Sequence, residues 1–176
     1  MKILSILKRS IEIKNAFTTA SLTFLYRKKV KSMGIDCQVN AICHFGSNTF
    51  IGNDCHFNGI SIVGTGKLII GDHFHSGNQI SIFTSSHNYK SNDFLPYGHD
   101  ELIKNVFIGQ CVWLGSKSIL LPGTTLGDGV IVQAGAVVHG DIPSCAIIGG
   151  NPAQIIKFRD KEIFKKLMKN NSFVKR

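Results

Sequence analysis

The stretch Ile108–Ile142, IGQCVWLGSKSILLPGTTLGDGVIVQAGAVVHGDI, carries aliphatic residues at six-residue intervals: Ile108, Leu114, Leu120, Leu126, Val132 and Val138. A helix repeats near 3.6 residues and a plain strand at two, so neither element alone gives this period. A second row, Val112, Ser118, Thr124, Val130, Ala136 and Ile142, follows the first by four places. Two inward side chains per six residues leave room for one short strand and one turn, and three such units close a triangular coil. Coils stacked at the inter-strand spacing of about 4.8 Å place Leu114 against Val132 and Leu120 against Val138. The sequence therefore predicts an all-β solenoid.

The N-terminal half continues the period in another phase, through Val39, Phe45, Ile51, Phe57, Val63 and Ile69, with one extra residue resetting it at Ile70. Gly52, Gly64, Gly71, Gly109, Gly115 and Gly127 each follow a row position, where a corner needs either unusual dihedrals or close backbone approach. They read as corners and not as a phosphate loop. Cys37, Cys43 and Cys55 fall on the small-residue row and read as minor core hydrophobes, with Cys37 and Cys55 one coil apart. Five cysteines without a CxxC pair fit free thiols in a reducing compartment, with no metal role.

A solenoid needs its ends covered. Residues 1–32 carry Ile3, Leu4, Leu7 and Ile11, then Ile13, Phe17, Ala20 and Phe24, at roughly helical spacing and without glycine or proline. Residues 157–176 place Ile163, Phe164, Leu167 and Met168 among lysines, as in a short amphipathic helix. The expected organisation is a basic helical segment over 1–32, coils over 33–156 interrupted by a loop at 84–106, and a basic C-terminal helix over 157–176, with Asn151-Pro152 marking the exit from the coils.

The formal charge of +9 is unevenly spread. The two tails carry +7 and +6, while residues 33–156 carry −4. Basic tails without a base-reading motif suit an anionic ligand or membrane surface better than nucleic acid, and a merely solvated helix face is the competing reading. Lys8-Arg9 interrupts the first apolar run, and no uncharged stretch approaches the roughly 20 residues of a membrane span. The expected location is cytoplasmic, with peripheral contact at the inner face of the membrane.

Between Ile82 and Ile108 the repeat gives way to a polar excursion. Long unstructured loops are uncommon in compact domains and are often functional. His87 stands at its base, where the rigid stack can hold it beside a groove, and a neutral imidazole can accept a proton from a hydroxyl.

The hexapeptide units, the Ser86-His87 loop, Val112-Trp113-Leu114-Gly115-Ser116, Pro122-Gly123-Thr124-Thr125-Leu126-Gly127-Asp128 and Ile148-Gly149-Gly150-Asn151-Pro152-Ala153 together resemble the hexapeptide-repeat acetyltransferases. The chain is most similar to their maltose/galactoside and polysaccharide O-acetyltransferase group, over roughly residues 39–158. This resemblance implies a left-handed parallel β-helix, a homotrimer with active sites between subunits, acetyl-CoA as donor, a carbohydrate acceptor and no metal. It also implies that His87 deprotonates a substrate hydroxyl and that Asn58 assists the transition state. Trp113 would line the donor groove, Ser116 would contact the thioester end, Ala134 and its neighbours would bound the pantetheine channel, and Lys117 would belong to the donor site unless it is an ordinary solvated lysine. Lys157 and Arg159 would meet the phosphates of CoA. Two positions on the donor side depart from the family pattern: His139-Gly140-Asp141 lacks a usual lysine, and Gln154 stands where relatives tend to carry arginine.

Structural roles compete for several of these positions. Trp113 could cap a coil edge, and Ser116 and Ala134 could be ordinary small corner residues. Alternatives on the same fold are N-acetylation of a nucleotide-linked amino sugar and acetylation of an antibiotic. A metal-dependent hydratase needs three converging histidines, and the seven present, His73, His75, His87 and His99 among them, show no pair spaced to lie on one face across a coil. A non-catalytic trimeric scaffold is the remaining alternative.

Overall fold

A computed structural model describes residues 2–174, with side chains from residue 14 onward. Short strands alternate with turns to make a left-handed parallel β-helix of about six turns. Its first face stacks Ser32–Met33, Thr49–Ile51, Leu68–Ile70, Val106–Ile108, Thr125–Leu126 and Asp141–Ile142. The second face runs from Gln38–Val39 through His56–Phe57, His75–Ser76, Trp113–Leu114 and Ile131–Val132 to Ala146–Gly150. The third stacks Ile60–Val63, Ile80–Phe83, Ile119–Leu120 and Val137–Val138.

The expected registers are present: Leu114 pairs with Val132, and Leu120 with Val138. Every member of the row from Ile108 to Val138 is buried, because alternation within each two- or three-residue strand sends one side chain inward. Each aliphatic residue so buried contributes about 1.5–3 kcal/mol. In the N-terminal half the predicted row is wrong at two places. Val63 is 45% exposed, and Ile69 points outward between buried Leu68 and Ile70. The inward residues are Ile62, packed against the core, and Ile70. The excursion is spliced into one coil without breaking the stack, since Ser76 pairs directly with Leu114 and Ile82 with Leu120.

The corner glycines serve close approach more than unusual dihedrals. A Cβ on Gly115 would lie 2.4 Å from the backbone N of Ala134, and one on Gly109 2.7 Å from that of Asp128. Of the six glycines named above, Gly64 alone has positive φ. The five cysteines are free thiols. Cys37 and Cys55 are stacked neighbours, and a hydrogen bond from Cys55, opposed by burial and aided by Arg27, brings the Cys37 thiol down to about 7.

One helix, α1 (Lys2–Arg27), covers the N-terminal end. The Tyr26 hydroxyl accepts from the Cys43 backbone N–H at 3.1 Å, and its ring meets Phe45 edge-on at 5.4 Å. Thr23 Oγ1 accepts from the Val39 N–H at 2.9 Å. The side that docks is thus Leu22, Thr23 and Tyr26, followed by Val30. This corrects the sequence reading, for Phe17, Ala20 and Phe24 face solvent. The side chains of Ile3, Leu4, Leu7, Ile11 and Ile13 lie outside the described residues. At the other end Ala153–Phe158 pairs antiparallel with Ala146–Gly150 and covers that edge of the sheet. Asn151-Pro152 forms the turn of this hairpin. A second helix, α2 (Lys161–Lys169), is N-capped by Asp160, which accepts from Glu162 N and Ile163 N at 3.0 and 2.9 Å. It folds back over the second face, where Met168 Sδ meets Cys111 Sγ at 3.3 Å.

Candidate active site

The excursion is partly ordered, contrary to the structureless loop its polarity suggests. Ser85–His87 and Glu101–Ile103 form an antiparallel hairpin in which His87 faces Glu101 across the pair. Asn88 pins its neck, with Nδ2 donating to both Asp100 carboxylate oxygens at 3.2 and 3.0 Å. Thr65 Oγ1 donates to Glu101 Oε2 at 3.0 Å and ties the hairpin to the preceding coil. The His87 ring is exposed and stacks on Tyr97, with centroids 3.9 Å apart and planes 8° from parallel. Among the described residues nothing hydrogen-bonds its ring nitrogens. With Ser86, Glu101, Phe83, Leu121 and Pro122 it lines a cavity of about 370 Å³ at the corner that follows the third face.

A second cleft, of about 480 Å³, lies between the second face and the returning α2 with its tail. Asn58, His75, Cys111 and Trp113 form its floor, while Phe164, Met168 and Phe173 form its roof. Arg159 also lines it, with the guanidinium 5.8 Å from the Phe164 ring and a buried Nε that has no hydrogen-bond partner among the described residues. Burial raises the Cys111 thiol to about 11, so it stands as the neutral S–H at neutral pH.

The structure divides the predicted site residues between these places. Trp113, Arg159 and Asn58 share the cleft, and Trp113 is half exposed. Asn58, Ser116, Lys117 and Ala134 stand at the corner between the second and third faces, each just past the end of a second-face strand. Asn58 is held there on both sides of its amide: Nδ2 donates to the Ser76 carbonyl at 2.6 Å and Oδ1 accepts from Asn40 Nδ2 at 3.1 Å. Ser116 Oγ accepts from the Asn78 N–H at 3.2 Å. His139 is exposed just past Val137–Val138, at the same corner as His87. Gln154 and Lys157 are exposed on the outer hairpin strand, apart from both cavities. In one chain, therefore, the third face separates His87 from Asn58 and Trp113.

Sequence reasoning missed a cluster beside the cleft. His56 and His75 are register partners whose rings stack at 4.5 Å, which corrects the statement that no two histidines share a face across a coil. Their separation is nineteen residues because the extra residue lies between them. Asp54 Oδ1 bonds His56 Nε2 at 3.0 Å and its Oδ2 bonds His73 Nδ1 at 2.8 Å. Burial opposes ionisation of Asp54, but the bonds from His73 and His56 outweigh it and hold the carboxyl below its ordinary value. His73 in turn stacks on Phe173 at 3.5 Å, pinning the tail. Among the described residues no group of three or more metal-ligating side chains is placed to hold an ion.

Comparison with known proteins bears directly on this geometry. The family model described as "Bacterial transferase hexapeptide (six repeats)" matches residues 105–140. The chain is 35% identical over 130 residues to the putative lipopolysaccharide biosynthesis O-acetyl transferase WbbJ of Escherichia coli, covering 70% of this chain and 64% of that one. It superposes on a maltose O-acetyltransferase from Clostridium difficile with a TM-score of 0.60 at 32% identity, covering 77% and 73% of the two chains. It also superposes on a hexapeptide-repeat acetyltransferase from Vibrio cholerae, solved in complex with acetyl coenzyme A, with a TM-score of 0.66 at 26% identity, covering 79% and 76%. The chain belongs to the hexapeptide-repeat acetyltransferase family. It spans between 30 and 65% of the length of the first curated relatives it matches.

Proposed function

We propose that this protein transfers an acetyl group from acetyl-CoA to a hydroxyl of a carbohydrate, a surface polysaccharide or its precursor, with His87 as the general base. The observation that carries this reading is His87 itself: an exposed imidazole, stacked on Tyr97 at the wall of a cavity, with both nitrogens unengaged among the described residues. The acetyl-CoA complex of the Vibrio cholerae neighbour supports this donor, and the O-acetyl transferase relative supports a hydroxyl acceptor. The neutral imidazole takes the proton as the hydroxyl oxygen attacks the thioester carbonyl. Collapse of the tetrahedral oxyanion expels the CoA thiolate, which recovers the proton from the imidazolium, leaving an acetyl ester and free CoA. Backbone N–H donors would hold the oxyanion.

Because Asn58 and Trp113 stand across the third face from His87, the reading includes a homotrimer in which the donor groove of one copy meets the histidine of the next. His87→Ala should retain acetyl-CoA binding and lower transfer by about 10²–10⁴-fold. Turnover within a few-fold of the parent would refute the assigned role. Labelled acetyl-CoA offered to a panel of glycans and amino sugars identifies the acceptor, since an ester product is released by mild base and an amide is not.

A further inference from the structure

The outward side of α1 is the feature that neither the fold nor acyl transfer uses. Phe17 and Phe24, seven residues apart and so on one line of the helix, are 74% and 64% exposed, and Leu25 lies exposed beside them. The helix thus has two apolar sides, one spent on the first coil and one left open. From residue 13 to residue 35 the charge is of one sign, with Lys28 beside the open side and Lys29 turned to the Tyr26 ring of the docked side, 5.6 Å from its centroid. Lys14, Arg27, Lys28, Lys29 and Lys31 are basic, and no acid occurs between Glu12 and Asp36. Lys28 Nζ sits 4.3 Å from the Phe24 ring centroid, and Arg27 spends its donors on the carbonyls of Met33 and Gly34, which leaves its charge uncompensated. None of these five forms an ion pair among the described residues.

A basic last turn alone could be put down to the helix dipole. That account explains Arg27 but neither Lys28, Lys29 and Lys31 beyond the helix nor the exposed phenylalanines. A second copy of the same surface is also a poor occupant, because two such helices bring like charges together without an acid to offset them. An anionic bilayer satisfies both halves of the pattern: rings enter the headgroup boundary while lysines meet lipid phosphates. The intervening coils, residues 33–156, carry −4 and are repelled from such a surface, so contact falls to an end of the solenoid and not to its faces. Among the described residues no helix is long and apolar enough to cross a membrane, so α1 would lie on the bilayer and not span it.

We infer that the Phe17/Phe24 side of α1, with its flanking lysines, is a docking surface for an anionic lipid bilayer. Binding requires no acetyl donor or acceptor, so the inference stands or falls independently of the proposed reaction. The test is co-sedimentation of the full chain with vesicles of phosphatidylcholine alone or mixed with phosphatidylglycerol. The chain should bind the mixed vesicles and not the neutral ones, and high salt should weaken binding. Lys28→Gln/Lys29→Gln/Lys31→Gln should lower the partition coefficient about fivefold per lysine. Phe17→Ser/Phe24→Ser should lower it about tenfold or more through lost insertion. Both positions are exposed, so circular dichroism and unfolding midpoints should match the parent. No binding to the mixed vesicles, equal binding to neutral ones, or full binding by the phenylalanine variant would overturn the inference. So would a phenylalanine variant whose altered property is its oligomeric state, which would assign the face to another copy of the chain.

Discussion

If the corner glycines exist so that coils can approach closely, adding one methyl group at the right corner should open the stack, while the same methyl elsewhere should not. Gly115 and Gly135 make the comparison within neighbouring coils. A Cβ at Gly115 would lie 2.4 Å from Ala134 N and 2.8 Å from both Gln133 C and Val132 O, about 1 Å short of the 3.4 Å at which ordinary contact begins. Every atom in its way is backbone, so no side chain can rotate aside. Relief requires the corners to part, at the expense of the Gly115 N–H bond to Val132 O at 2.7 Å and the Trp113 N–H bond to Val130 O at 3.0 Å. Two weakened rung bonds at about 1 kcal/mol each, with overpacking of about 1–3 kcal/mol, give a destabilisation of about 3–5 kcal/mol.

Gly135 has the opposite problem. Its φ is +74° and nothing lies within 4 Å of where its Cβ would be. Alanine there meets only the left-handed penalty of about 1–2 kcal/mol, partly offset by reduced freedom of the unfolded chain. Urea unfolding of Gly115→Ala and Gly135→Ala, followed by circular dichroism with slopes compared, should separate the two by at least about 1 kcal/mol. Costs equal within about 0.5 kcal/mol, or a Gly115→Ala protein as stable as the parent, would refute close approach as the reason for these glycines.

The Tyr97 ring should matter through its face and not its hydroxyl: Tyr97→Ala is expected to lower kcat about 2- to 12-fold with donor KM unchanged, and Tyr97→Phe to stay near the parent, in a labelled-acetyl transfer assay. Asp54 has a folded pKa below its ordinary 3.8, so its contribution to stability is present above that value and is lost as pH falls through the lower folded one. The gap in urea midpoint between the parent and Asp54→Asn should therefore be larger at pH 6 than at about pH 3, and a gap that widens on acidification would contradict the bonds to His56 and His73. Ser118 is fully buried with a hydroxyl that has no partner among the described residues, and its neighbours in the adjoining coils are apolar Ala136 and Ile80. Removing it in Ser118→Ala should leave stability unchanged or raise it by about 1 kcal/mol, read from the same unfolding curves.

The period of six in Ile108–Ile142 specifies face, register and inward side chain because every coil there has the same length. It misleads before Ile70, where the corner after Phe57 is one residue short and the next is longer. Ile62 beside Val63, and Ile69 beside Ile70, are equally aliphatic, so composition does not say which one turns inward. The N-terminal helix poses the same difficulty. Phe17, Ala20 and Phe24 form one stripe at helical spacing, and Leu22, Tyr26 and Val30 form another. Selection between them rests on polar partners from other coils, the Cys43 N–H for the Tyr26 hydroxyl and the Val39 N–H for Thr23. His87 was legible because it stands where the rhythm stops. The cleft was not, since Phe173 and Met168 come to the Trp113 face from the far end of the chain.

The separation of His87 from Asn58 and Trp113 leads to a sharper test of how the proposed site is assembled. His87 and its cavity occupy the corner after the third face; Asn58, Ser116 and Ala134 occupy the corner before it. Between them run the outward side chains of Ser61, Ser81, Ile119 and Val137, aligned rung on rung. If a donor lying beside Trp113 is to present its thioester to a histidine across that face, the histidine must come from another copy. His87→Ala and Trp113→Ala chains, each impaired alone, should then regain activity when co-expressed. A His87→Ala copy still offers an intact Trp113 groove, and a Trp113→Ala copy still offers an intact His87, so a mixed assembly contains complete sites. If both residues acted within one chain, every site in the mixture would keep one defect and no activity would return. Mixed assemblies that are isolated and verified yet no more active than the separate variants would therefore rule out a site shared between copies.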